Sequence, residues 1–145
     1  MASLSPVIQE IVQAGGTAEI TVTGNSMYPM LIDHVSQVRL CEPVNLCVGD
    51  IPLYRRDNGM FVLHRIVCCE GDVYTCCGDN QWRIEAGIRR DQVLAVVTAF
   101  KRKKKWHSCQ AGWYTLYARL WIAIRPLRRL LFGGVRRVKA RFTSK

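Results

Sequence analysis

The segment Gly24-Asn25-Ser26-Met27-Tyr28-Pro29 sets a serine between a glycine and a proline, directly after a β-branched run. Such a turn holds a hydroxyl out of a sheet with few accessible conformations, as a nucleophile requires. It equally suits a serine that only forms or caps the turn. A serine nucleophile needs a base, and all six lysines lie beyond residue 100, so a serine–lysine pair cannot form within the body of the chain. Histidine is left. His64 lies inside the apolar run Met60 to Val67, where an ionisable ring needs a partner. It reads either as a general base or as a core histidine satisfied by a backbone carbonyl, whereas His34, beside Asp33 in a polar turn, reads as solvated.

Seven cysteines is an odd number, and four form the vicinal pairs Cys68, Cys69 and Cys76, Cys77. A turn centred on Gly71 and Asp72 sets Cys69 opposite Tyr74 and Cys68 opposite Thr75. The cysteines are then diagonal neighbours about 7 to 8 Å apart, too far for an unstrained bridge. Adjacent cysteines on a strand face opposite ways and no CxxC knuckle is present, so reduced packing thiols are expected ahead of a zinc site. No metal or other cofactor is expected.

The elements that must position these groups follow from the periodicity. Val7 to Ala14 reads as a short amphipathic helix stopped by Gly15-Gly16. Strands are predicted over Ala18 to Thr23, Val35 to Cys41, Ile51 to Arg55, Met60 to Val67, Val73 to Cys77 and Val93 to Phe100. Asp57-Asn58-Gly59 is the clearest hairpin turn, because Asn-Gly accepts the positive φ of a tight primed turn. The fold class is therefore mainly β, an antiparallel sheet that is curled or barrel-like.

Charge divides the chain. Residues 1 to 100 hold 7 basic and 11 acidic side chains, and residues 101 to 145 hold 14 basic and none acidic. The expected organisation is a domain over 1–100 and a basic tail over 101–145. Trp113, Leu116, Tyr117, Leu120, Trp121 and Ile124 fall on one face of a helix that Pro126 ends or kinks, and a second basic segment runs from Arg125 to Lys145. That face suits either an anionic membrane surface or packing on the sheet. The run Lys101 to Lys105 comes with no base-reading motif, so a nucleic-acid partner is not expected. No secretory signal and no span of about 18 to 20 apolar residues is visible. The expected location is the cytoplasm, with a peripheral place at the inner face of the membrane.

Four stretches in order carry a resemblance: Gly24-Asn25-Ser26-Met27-Tyr28-Pro29, Val48 to Arg55, Val62-Leu63-His64-Arg65-Ile66-Val67 and Cys77-Gly78-Asp79-Asn80. They resemble the ordered boxes of the type I signal peptidase and SOS-repressor superfamily of serine peptidases, over roughly Ala18 to Phe100. Bacterial members usually have lysine where this chain has His64, so the match is to the Ser/His branch of the endoplasmic-reticulum type, here without the N-terminal membrane anchor. The resemblance implies Ser26 as nucleophile and His64 as general base, with either Asp79 or Glu85 orienting the imidazole. Asp79 is favoured, since its glycine turn is intact while Glu85 replaces the usual aspartate. It further implies an oxyanion and substrate region around Asn25, Ser26, Met27 and Pro29. Gly24 stands where some relatives supply a serine hydroxyl. An extended peptide would add to the strand Ala18 to Thr23.

The expected function is thus a serine endopeptidase acting on an extended segment, as in signal-peptide or leader processing. Two other readings stand beside it: a catalytically silent relative that binds peptides, and a basic adaptor for membranes or RNA whose business lies in residues 101–145.

Overall fold

A computed structural model of the chain describes residues 5–128 and residue 130. The basic segment expected from Arg125 to Lys145 therefore falls, at Arg129 and beyond residue 130, outside the described residues. The chain opens with helix α1 (Ser5–Gln13), which buries Ile8 and Val12 one turn apart. Among the described residues nine strands follow: β1 (Ala18–Thr21), β2 (Gln37–Cys41), β3 (Pro52–Arg55), β4 (Phe61–Leu63), β5 (Arg65–Glu70), β6 (Val73–Cys77), β7 (Glu85–Arg89), β8 (Val93–Arg102) and β9 (Lys105–Ser108). Helix α2 (Gly112–Ala123) comes next. The architecture is mainly β, a curled antiparallel sheet with a short N-terminal helix.

The first sheet has the order β1-β2-β8-β3-β4, with β9 also on β8. Strand β8 is ten residues long, enough to carry β2 along one edge and, on the other, β3 opposite its first half and β9 opposite its second. Strands β5, β6 and β7 form the second sheet.

Most predicted elements recur with shifted ends, and three differences are informative. The single strand expected over Met60 to Val67 is divided at His64, where the chain leaves the first sheet and enters the second. Val62 through Ile66 are all buried, which is the pattern of a corner covered on both sides and not of a half-buried strand. The run Lys101 to Lys105 is a hairpin: Arg102 pairs with Lys105, and Lys103 and Lys104 form its tip at φ of 49° and 65°. Left-handed φ in both loop residues is the requirement of a two-residue primed turn, met here by lysines in place of Asn-Gly. Finally, Tyr114 and Ala118 of α2 belong to the main hydrophobic cluster with Leu31, Leu53 and Phe100. The boundary expected between residues 100 and 101 thus falls inside β8, and the segment through α2 packs as part of the body.

The hairpin at Gly71 has the expected register, with Cys69 opposite Tyr74 and Cys68 opposite Thr75. All seven cysteines are free thiols, and burial pushes Cys76 up to about 12 and Cys109 up to about 11.

At the corner where the chain enters β5 lies a buried ion pair. Arg65 donates from Nε to Asp79 Oδ1 at 2.8 Å and from Nη2 to Oδ2 at 2.7 Å, and both residues are 1% exposed. Removing one member leaves the other charge buried and uncompensated. Asp79→Ala is expected to lower stability by about 3 to 5 kcal/mol in a urea melt. Glu19→Ala, which breaks the exposed Arg39–Glu19 pair, is expected to cost under about 1 kcal/mol. Equal costs for the two variants would refute this ranking.

Candidate active site

Ser26 sits in the turn that follows β1, half-buried, with Asn25 exposed before it and Met27 buried in the main cluster after it. Met27 and Met30 anchor the turn in the core, and Leu31 closes it by donating its amide to the Met27 carbonyl at 2.9 Å. Met27 was expected in the substrate region; at 1% exposure its side chain is an anchor and offers no surface to a ligand. Pro29 is half-buried, after a cis peptide bond.

The Ser26 turn is held from the far side by the turn after β6. The Asn80 amide donates to the Ser26 carbonyl at 2.9 Å. Gly78 approaches so closely that a Cβ there would stand 2.6 Å from the same carbonyl oxygen. Only glycine permits this contact. Because Cys77 pairs with Arg65, this turn and the neighbouring His64 belong to one corner of the structure, and Ser26 is docked on it.

His64 is 2% exposed. Both of its polar partners among the described residues meet Nδ1: Tyr54 Oη at 3.2 Å and Glu85 Oε1 at 3.3 Å. This leaves Nε2, on the opposite edge of the ring, as the nitrogen able to take a proton from a hydroxyl. Glu85 is held in turn by Arg56, which donates from Nε to Oε2 at 2.9 Å and from Nη2 to Oε1. Arg56 and Tyr54 were not singled out in the sequence. Tyr54 on β3 and Arg56, just past its end, stand two residues apart, and that spacing was the available signal.

The two candidate carboxylates are therefore divided. Glu85 lies at the imidazole, and Asp79, the favoured candidate, is engaged bidentately by Arg65. Strand register explains this. Ile66 pairs with Cys76 and Cys76 with Glu85, so Glu85 shares the side of the sheet that His64 takes, two residues from Ile66. Arg65 and Cys77 face the other way, toward Asp79.

Electrostatics fit a neutral base beside a charged carboxylate. Burial pushes His64 below its ordinary value; the Glu85 charge pulls it up, and the Arg56 charge pushes it down again. Burial works against the Glu85 charge, but the hydrogen bond and charge of Arg56, with His64, hold its carboxyl below the usual range. Burial raises Tyr54, so its hydroxyl keeps its proton and can donate to Glu85 while accepting from Nδ1–H. That tautomer leaves the Nε2 lone pair free.

An open hollow of about 580 Å³ runs beside this group, lined by Arg56, Asn80, Gln81, Trp82, Arg83 and Glu85. Strand β1, immediately before the Ser26 turn, is an edge strand: β2 covers one side of it and no described strand covers the other. His34 is the exposed histidine, its Nδ1 2.5 Å from Asp33.

The lowered His64 value has a stability consequence. Below about 6.5 the unfolded chain takes up a proton at this position that the folded chain refuses. Stability is therefore expected to fall as pH drops from about 6.5 through the lowered folded value. The urea midpoint measured against pH checks this, and His64→Gln should flatten the profile over that window. An unchanged slope in the variant would show that the ring titrates as freely folded as unfolded.

No protein-family model matches the chain, and comparison with curated proteins and with solved structures finds no match. The functional reading therefore rests on the geometry of this corner.

Proposed function

We propose that the chain is a serine endopeptidase of the signal-peptidase-like fold in which Ser26 attacks, His64 is the base and Glu85 orients the imidazole. The observation that carries the reading is the buried His64 with its Nδ1 on a carboxylate, at the corner on which the Ser26 turn is docked. In the proposed reaction an extended peptide pairs with the open edge of β1, which brings its next carbonyl to the Ser26 turn. Ser26 Oγ adds to that carbonyl as its proton passes to His64 Nε2. Glu85 stabilises the imidazolium, and the Ser26 backbone amide, with the exposed Asn25 amide nearby, faces the developing oxyanion. His64 returns the proton to the leaving amine as the C–N bond breaks, and water releases the acyl group by the same route.

Here Glu85 takes the role that Asp79 was expected to fill. Asp79 acts one step back: with Arg65 it fixes the Gly78-Asn80 turn against which Ser26 rests. Substrates in the class of signal or leader segments fit an edge-strand mode of binding, because they are presented in extended form.

The test is a peptide-library digest read by mass spectrometry with the native chain, Ser26→Ala and His64→Ala. Either substitution is expected to lower kcat/KM on the order of 10⁴-fold or more. A native chain that is folded yet cleaves nothing would sink the peptidase reading and leave the β1 edge as a peptide-binding surface. The pH profile gives an independent check. Activity should fall as His64 protonates, with a midpoint below about 6.5. Glu85→Gln removes a charge that favours the imidazolium and should move the midpoint further down. Arg56→Gln removes an opposing cation and should move it up. Shifts in the reverse directions would show that another group governs the limb.

A further inference from the structure

The outer face of α2 does not follow the usual division of a surface helix. Its inner face buries Tyr114 and Ala118, as described. Its outer face carries Trp113, Leu116 and Leu120, with Ile124 capping its end, exposed by 53%, 59%, 56% and 39%, at spacings that form one stripe. The stripe continues past the end of α2 with Leu127, 54% exposed. Of the six residues expected to form one apolar helical face, Trp113, Leu116, Leu120 and Ile124 are exposed, while Tyr117 and Trp121 are half-buried. No acidic residue lies on α2, and Arg119 is exposed beside the stripe.

A second feature adjoins the first turn of the helix. A hollow of about 440 Å³ between the β8–β9 hairpin and α2 has Met30, Phe100, Trp113 and Tyr117 as its apolar wall and Arg102, Lys103 and Lys105 at its rim. The three cations are exposed. Trp113 belongs both to this hollow and to the stripe, so the cations and the leucines border one surface.

We propose that this surface seats on an anionic phospholipid bilayer, with Trp113, Leu116 and Leu120 at the acyl boundary and Arg102, Lys103 and Lys105 over the lipid phosphates. Each part has a physical reason. A helix of twelve residues is about 18 Å long and cannot cross a hydrocarbon core of about 30 Å, so its apolar stripe can be buried only by lying in the plane of the interface. No described helix is long and apolar enough to cross a membrane. Indole is at home at the headgroup boundary, where Trp113 would stand. The cations match headgroup charge, and no carboxylate stands among the hollow's lining residues to oppose them. A nucleic acid would use the same cations and leave the leucines in water. The inference does not depend on the peptidase reading.

The experiment is flotation of the full chain with vesicles of phosphatidylcholine alone and of phosphatidylcholine mixed with phosphatidylglycerol. Binding is expected only to the anionic vesicles, to weaken as salt is raised, and to shift tryptophan emission to the blue. Leu116→Glu with Leu120→Glu should abolish it, and because both side chains are exposed the far-ultraviolet dichroism should stay native. Lys103→Asn with Lys105→Gln removes two cations, with asparagine suited to the φ of 49° at position 103. At about 1 kcal/mol per cation, affinity should drop about 30-fold. Equal flotation with neutral vesicles, or binding that survives the leucine substitutions, would overturn the proposal. So would a chain that ignores vesicles but binds single-stranded RNA, or one that pairs with a second copy through the leucines, seen as a doubled mass that the glutamates abolish.

Discussion

Arg65 is the group on which the other parts of the structure converge. A guanidinium has five N–H donors, and burying it is tolerable only when they are met. Here all five are: Nε and one Nη2 proton by Asp79, the other Nη2 proton by Met30 Sδ at 3.2 Å, and the Nη1 protons by the Gly49 carbonyl at 3.0 Å and Tyr114 Oη at 2.8 Å. The five acceptors come from four separate places in the chain. The Ser26 turn supplies Met30, the loop before β3 supplies Gly49, the turn after β6 supplies Asp79 and α2 supplies Tyr114. A single side chain, buried because it follows the corner residue His64, thus adds to the backbone bonds between these segments and brings α2 to the same point. Burial opposes the Arg65 charge, yet the Asp79 carboxylate and Tyr114 hold it firmly protonated.

The same constraint decides the chemistry at His64. His64 and Arg65 are neighbours, so their side chains leave the chain in opposite directions, and each meets the carboxylate on its own side. Asp79, which takes two of the five Arg65 donors, is turned to that side and not to the imidazole. Glu85 reaches the ring because it is on β7, whose pairing places it in line with Cys76 and Ile66. The longer glutamate side chain also lets Arg56 hold the carboxylate from its other flank. Tyr54 completes the enclosure, in edge-on contact with the ring at a centroid separation of 6.2 Å.

What was legible in the sequence was local. The turn at Gly71 set the register of Cys68 and Cys69, and Asp57-Asn58-Gly59 closed the β3–β4 hairpin, though with only Gly59 at positive φ and so not as the primed turn expected. The serine, the buried histidine and both acids were visible as residues, and their boxes in order. Which acid meets the histidine was not visible, because it depends on β7, whose Glu-Ala-Gly start has no strand character of its own and is held by pairing with β6. Strand β9 was hidden for a related reason. The run Lys101 to Lys105 that leads into it shows no strand pattern, and only pairing with the far half of β8 makes it a hairpin. The helix was legible as a helix, but its packed face was not. Besides the face expected, Tyr114, Ala118 and Ile122 make a second apolar line, so periodicity does not choose between the two, and Ala118 decides. Its Cβ lies 3.7 Å from the position a side chain would occupy at Gly49, so the small pair lets the helix close on the loop.

That close packing makes α2 part of the corner and not an appendage to it. Asp79 is used twice: its carboxylate binds Arg65, and its carbonyl accepts from Trp121 Nε1 at 2.9 Å and from Arg128, just past the helix. The next residue, Asn80, donates to the Ser26 carbonyl. Between the helix and the serine there is thus one turn of chain, with a hydrogen bond at each end and a buried ion pair in the middle. Such a turn cannot shift at one end without loosening the other, because its central charge tolerates no loss of partners. The apolar stripe on the outer face of α2 and the serine on the far side of the turn are therefore mechanically linked. A surface that holds α2 in place also holds the Ser26 turn, through the Trp121–Asp79 and Asn80–Ser26 hydrogen bonds and the Arg65–Asp79 pair between them.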